Sequence, residues 1–206
     1  MSWKLKQLFN LIKFLVTGAF FDSSHLAYEP THQIRDTPRT IEAHSSCKPS
    51  GKIRCKKPPA GHCNIENDAD CGRQGQTYTT YKCSPGVSKR TKAAMTINSF
   101  QKGGDGGGTS KCDIEYHSDD TPVVALSSGW FNQRSRCIKN TTIYGNGRSV
   151  QAMAVDECEP TMGWDKDHDF QPRCDDNIID ASRAVWEARR MPKSKRGTVD
   201  VDWSDS

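Results

Sequence analysis

The sequence predicts a mainly β chain, a barrel or sandwich of short antiparallel or mixed strands stapled by disulfides, and three observations carry that prediction. Nine cysteines run from Cys47 to Cys174, with no Cys-x-x-Cys pair and no paired-histidine cluster beside them. That spacing reads as a cross-link framework suited to an oxidising compartment, since zinc and redox thiols cluster at short range. Only 34% of the 206 residues are hydrophobic, so a small core needs help, and each bridge contributes about 3 kcal/mol in the chain-entropy view. The third observation is a series of β-branched and aromatic runs punctuated by Gly, Asn, Asp and Pro, which is how short strands and turns are written.

Taken in order, residues 1–27 read as a weak or degraded secretory signal. Lys4 and Lys6 give a basic start, Leu8 to Phe21 is mostly apolar but interrupted by Asn10 and Lys13, and Thr17 and Ala19 offer small residues for cleavage; an amphipathic helix is the competing reading. Residues 28–46 are polar, contain Pro30 and Pro38 and lack a period, as in a flexible linker. No apolar run reaches membrane-spanning length. Strands are expected at Thr77–Tyr81, Ala94–Ile97, Val123–Leu126, Ile138–Tyr144 and Val150–Val155. One helix is expected, with Asp180 as N-cap, Ala181, Ala184, Val185 and Ala188 on one face, Trp186 flanking it and Pro192 closing it.

Charge is unevenly spread. The first 111 residues hold 17 Lys+Arg against 8 Asp+Glu, the remainder 12 against 17, a polarity that favours docking onto a charged partner. Nucleic acid is not the expected partner, because the basic run Lys52, Arg54, Lys56, Lys57 lacks interleaved aromatics. No cofactor is implied: the glycines at 103, 104, 106, 107 and 108 lack the following Lys-Ser/Thr of a phosphate loop. No metal is implied either. Asp165, Asp167 and Asp169 resemble a calcium loop, but Phe170 stands where glycine is required and Asp176 where glutamate is usual. Asn140-Thr141-Thr142 is a glycosylation sequon.

The stretches CKPSGKIR (47–54), YTTYKCSP (78–85), NSFQKGGDGGG (98–108), YHSDDTPVVALSSGWFN (116–132), GNGRSVQAMAVDEC (145–158) and DASRAVWEA (180–188) together resemble the plant kiwellins, also called ripening-related proteins. The resemblance runs from Cys47 to the C-terminal Trp-Ser-Asp-Ser, so residues 47–206 form its domain. It implies a six-stranded double-psi β-barrel with short helices, akin to barwin and the first expansin domain and stabilised by disulfides. It further implies a secreted defence protein of the apoplast that binds a microbial effector, such as a fungal chorismate mutase, without catalysis. A cell-wall polysaccharide binder with expansin-like or vestigial lytic activity is the alternative.

Departures from the family pattern assign the thiols. Relatives carry a double cysteine where Cys71 precedes Gly72 and another cysteine where this chain has Trp164. The resemblance therefore implies four bridges among Cys47, Cys63, Cys71, Cys83, Cys112, Cys137, Cys158 and Cys174, with Cys55 free. Beside Arg54, Lys56 and Lys57, an exposed Cys55 would have a favoured thiolate; a monomer is expected, with a Cys55-linked dimer as the variant. Related barrels in inverting cellulases and lytic transglycosylases place an acid where this chain has Asp156, the one catalytic candidate. Their second carboxylate lies in a motif similar to TTYKC, where Lys82 stands here, leaving Asp119 and Asp120 as nearby acids. No enzyme is therefore expected, and Asp156 is read first as structural. Trp130, Phe131 and Trp164 are the aromatic candidates for partner binding.

Overall fold

The computed structural model describes residues 47–57, 59–61, 72–159, 171, 173–191 and 197–206. Strands β1 (Gly51–Arg54) and β2 (Thr77–Thr80) form a separate antiparallel pair. The barrel is built from β3 (Thr91–Ile97), β4 (Val123–Ser127), β5 (Lys139–Gly145), β6 (Arg148–Cys158), β7 (Ile178–Ala181) and β8 (Thr198–Asp205), closed in the order β3-β7-β4-β6-β5-β8. Two pairs are parallel, β3 with β7 and β4 with β6. In both halves a later strand is inserted between two that follow one another in sequence, β7 between β3 and β4 and β6 between β4 and β5, which is the crossed topology of a double-psi barrel. Closure leaves these six strands no free edge.

Alternation places the core. Met95, Val124, Leu126, Ile143, Ala152, Ala154, Ile179 and Trp203 belong to the main buried cluster, joined by Trp130, Phe131 and Trp186. β4 is buried at all five positions because it lies between β6 and β7 and is covered on both sides. Val124 and Leu126 face the main cluster, whereas Val123 and Ala125 pack with Phe100, Val155, Cys158 and Ile178 in a second cluster. The β5–β6 hairpin turns through Asn146 and Gly147 at φ 51° and 67°, the two left-handed residues of a type I′ turn, for which Asn-Gly is the favoured pair.

The five expected strands are present with ends shifted by up to three residues. Three strands had no expectation: β1, β7 and β8. The helix is corrected. Asp180 lies within β7 rather than at a cap, and α2 spans Arg183–Ala188 with Ser182 extended before it at φ −60°, ψ 159°. The reason is tertiary: Ile178 to Ala181 pairs along β3, and the Asp180 carboxylate accepts a hydrogen bond from the Thr96 hydroxyl at 2.7 Å. The inward face of α2 is also different. Val185 and Trp186 are buried, and Trp186 is a core residue donating its indole N–H to the Thr96 carbonyl at 3.1 Å, while Ala188 is exposed. Pro192 lies outside the described residues.

Three disulfides are present among the described residues: Cys47–Cys83, Cys112–Cys137 and Cys158–Cys174. Cys63 and Cys71 lie outside them. The first bridge binds the start of the domain to the segment after β2. There the short helix α1 (Ser128–Phe131) locks on, with Trp130 Nε1 donating to the Pro85 carbonyl at 2.8 Å. The second joins the loop after the glycine-rich segment to the turn before β5, closing 25 residues. Replacing Cys112 and Cys137 together by serine is expected to cost about 3 kcal/mol, from the loop length it frees, measured by urea denaturation of the oxidised protein.

Candidate functional site

A register shift in β6 creates the most chemically distinctive surface. Val124 pairs with Ala154, but the next residue, Ala125, pairs with Asp156, so Val155 is an extra residue and the strand bulges. Bulges re-aim side chains. In an unbroken strand position 156 would share the inward face of Ala152 and Ala154; the bulge moves it to the opposite face, beside Ala125. On the other side of Ala125, β7 presents Asp180, and beyond it β3 presents Thr96. Thr96, Asp180, Ala125 and Asp156 thus form one row across four neighbouring strands. With strands spaced about 4.8 Å apart, the two aspartates stand roughly 10 Å apart at Cα, separated only by an alanine methyl.

This row floors a groove of about 520 Å³, whose lining includes Asn98, Asp105, Lys111, Ile114, Glu157 and Glu159. The glycine-rich loop forms one wall because it wraps closely on Ser99: a Cβ on Gly106 would overlap the Ser99 carbonyl, and the Asp105 carboxylate accepts the Ser99 N–H at 2.8 Å. That close approach, not phosphate binding, accounts for the glycines. The opposite wall is held by Lys111, whose backbone N–H donates to Asp156 at 2.9 Å and whose ammonium bridges Glu157 at 2.5 Å and Glu159. Ser128 donates to the other Glu157 oxygen.

Burial pushes both aspartates up. For Asp180 the push reaches about 7; the Thr96 hydroxyl works against it, and Asp105 and Asp156 reinforce it by repulsion. For Asp156 burial also dominates, opposed by the backbone N–H groups of Lys111 and Glu157. Burial lowers Lys111, but its bonds to Glu157 and Glu159 outweigh that and hold it above its ordinary value. The arrangement can hold a proton on Asp180 near neutrality. The sulfurs of Cys158 and Cys174 lie within 4.8 Å of an Asp180 oxygen, but they are bonded to each other and so offer no thiolates to a metal.

The other sequence candidates fall elsewhere. Asp119 is buried and occupied, accepting from Ser99 Oγ at 2.8 Å and Phe100 N at 2.9 Å, and Asp120 pairs with Arg183 at 2.6 Å; neither lines the groove. Lys82 is exposed after β2, outside the barrel, so it does not occupy the place of the second acid. The acid that shares the groove with Asp156 is Asp180, which the sequence reads as a helix cap. Trp130 and Phe131 are corrected as binding aromatics: each is 1% exposed and part of the core. Trp164 and the acidic run 165–170 lie outside the described residues. Asn140 points its side chain to solvent from β5 although its backbone is paired with Met153.

Cys55 is unbridged, but the expected exposure is wrong. It is buried, its thiol faces the Lys56 carbonyl at 3.2 Å, and burial pushes its pKa up rather than down. A buried, protonated thiol is a poor partner for an intermolecular bridge.

The Kiwellin-1 family model matches residues 10–206. The chain belongs to the kiwellin family. It is 43% identical over 175 residues to kiwellin of Actinidia chinensis, covering 84% of this chain and 73% of that protein. It is 45% identical over 172 residues to ripening-related protein 3 of Oryza sativa subsp. japonica, covering 82% and 79% respectively. Family and disulfides together make it a secreted plant protein. Among solved structures it is similar to an expansin of Clavibacter michiganensis, with a TM-score of 0.43 and 17% identity over 57% of this chain and 50% of that one. A Streptomyces papain inhibitor is similar with a TM-score of 0.38 and 19% identity, over 57% and 94%.

Two outcomes follow from the site. Folded Asp180 binds its proton more tightly than the unfolded carboxyl, whose ordinary value is 3.8, so its contribution to stability falls as pH rises from about 3.8 to about 7. Asp180→Asn should flatten the rise in melting temperature seen on acidifying from pH 7 to 5, read by calorimetry; an unchanged slope would count against the buried carboxyl. Iodoacetamide should modify Cys55 only after unfolding, as followed by peptide mass mapping.

Proposed function

We propose that this kiwellin is a non-catalytic binder that captures a secreted microbial protein, such as a fungal chorismate mutase, in the apoplast. The observation that carries this reading is a pair of isoleucines, Ile114 in the groove lining and Ile138 next to the other end of the Cys112–Cys137 bridge. Ile114 is 66% and Ile138 51% exposed, and both sit at positive φ, 64° and 59°. A β-branched side chain in that region is strained by roughly 1–2 kcal/mol, and strain of that kind gathers at functional surfaces. Neither gains burial in return. Both follow a cysteine of the Cys112–Cys137 bridge closely, and the backbones of Cys112 and Ile138 donate to the neighbouring carbonyls of Val155 and Ala154. The bridge thereby fixes two apolar knobs on rigid loops, the preorganised display that a protein interface uses.

Charge adds to this. The groove next to Ile114 carries Asp105, Asp156, Glu157 and Glu159 against Lys111, so a partner with a basic patch beside an apolar pocket fits it. Ile114→Asn and Ile138→Asn, whose new side chain tolerates positive φ, are expected to weaken capture in a pull-down from fungal culture filtrate about tenfold together. Thermal stability should hold or rise. Capture unchanged by both substitutions would reject the rim as the contact surface.

A second reading is favoured by one observation, the Asp156–Asp180 row with a carboxyl protonated near neutrality. It makes the groove a polysaccharide site with residual lytic chemistry. Against it, the described tryptophans that would stack on sugar rings, Trp130, Trp186 and Trp203, are buried. Release of oligomers from cellulose, xylan or chitin that vanishes in Asp156→Asn would replace the first reading.

A further inference from the structure

A second pocket, of about 410 Å³, opens at the β5–β6 hairpin, lined by Arg90, Tyr144, Gly145, Arg148, Ser149 and Asp202, with Gly147 in the turn. Its chemistry is opposite to that of the acidic groove. The Arg90 guanidinium lies over the Tyr144 ring, 3.6 Å from its centroid. Cation–π stacking of this kind fixes the guanidinium plane while leaving its in-plane N–H donors unused. Arg148 is exposed and has no ion pair among the described residues. Asp202 is the one carboxylate lining the pocket, and Lys92 holds it at 2.8 Å.

An independent feature lies directly behind the pocket. Arg189 is 1% exposed, its Nε has no hydrogen-bond partner among the described residues, and its Nη1 donates to the Met95 sulfur at 3.2 Å. No carboxylate lies within ion-pair distance of it among the described residues. A buried guanidinium without a counter-ion is costly, and arginine keeps its proton even so. This guanidinium packs against Gly145 so closely that a Cβ there would fall on it, and Gly145 lines the pocket. Its field therefore reaches the pocket through low-dielectric protein, where charge is poorly screened.

We infer that this pocket binds a carboxylated sugar, the uronic acid unit of an acidic glycan. Arg90 and Arg148 receive the carboxylate, with Arg189 supplying charge from behind, while Ser149 and Asp202 receive ring hydroxyls. Asp202 selects against a phosphate dianion, which it would repel, and in favour of a singly charged polyol, whose hydroxyls it can accept. The pocket volume exceeds what a bare oxyanion fills and suits a sugar unit. The site shares only the barrel with the acidic groove, so it stands whether or not the isoleucine rim captures a protein.

Titration of the full chain by calorimetry, with trigalacturonate, cellotriose and inorganic phosphate as probes, tests the inference. Trigalacturonate should bind, and binding should weaken with added salt, while cellotriose should not bind. Arg148→Gln and Arg90→Gln should each lower the trigalacturonate affinity about tenfold, the loss of one charge-assisted contact, at unchanged melting temperature. Equal binding of cellotriose, tighter binding of phosphate than of trigalacturonate, or affinity unchanged in both variants would each overturn it.

Discussion

The pairing of β4 on both sides is the constraint on which the rest of the molecule depends. β4 runs parallel to β6 and antiparallel to β7, and no side chain along it reaches solvent freely. Because both its faces are covered, its residues cannot slip by one position without exchanging the two clusters they separate. A strand so fixed makes the single extra residue at Val155 matter. The register error cannot be absorbed by β4, so β6 takes it up, and Asp156 comes to lie on the outer row with Asp180. The row that floors the groove follows from that pairing, which brings Asp156 onto the face of Asp180 with only Ala125 between them.

Much of the fold was legible in the residues themselves. β-branched runs located five strands, and the Asn146-Gly147 pair, both residues accepting positive φ, was a legible hairpin signal that went unread. β8 was legible but overlooked: Val199, Val201 and Trp203 alternate with polar residues, and the pairing of Trp203 with Thr91 and Ile143 shows that alternation in use. β7 was not. Its four residues read into the following helix because Asp180 precedes an alanine-rich stretch, and only the parallel partner β3 converts that segment into a strand. The six-stranded double-psi class came from family resemblance, and the order of strands from the structure alone, since crossed connections leave no local mark.

The site was less legible for a consistent reason. Sequence locates the ionisable residues but not the bulge, so it found Asp156 and missed the partner two strands away. Aromatic content misled in the other direction. Trp130 and Phe131 looked available, yet α1 turns them into the barrel, where Trp130 meets Trp203 edge to face at 5.0 Å. Among the described residues the exposed large apolar side chains are instead Ile114, Ile138, Tyr116 and Val87, and of these the two isoleucines carry a backbone signature that no residue pattern encodes. Cys55 shows the same limit, since flanking lysines favour a thiolate only where water reaches the sulfur.

Gly145 and Arg189 carry a consequence for how this chain can vary. Neither position tolerates change alone: a methyl at 145 collides with the guanidinium, and a shorter residue at 189 leaves a void beneath the hairpin. Substitutions at the two are accordingly expected to be epistatic, with alanine at 145 accepted only after position 189 has shrunk. A chain carrying both exchanges would keep its hairpin packing but lose the buried positive charge behind it, so the two positions set the charge under the β5–β6 turn as a unit.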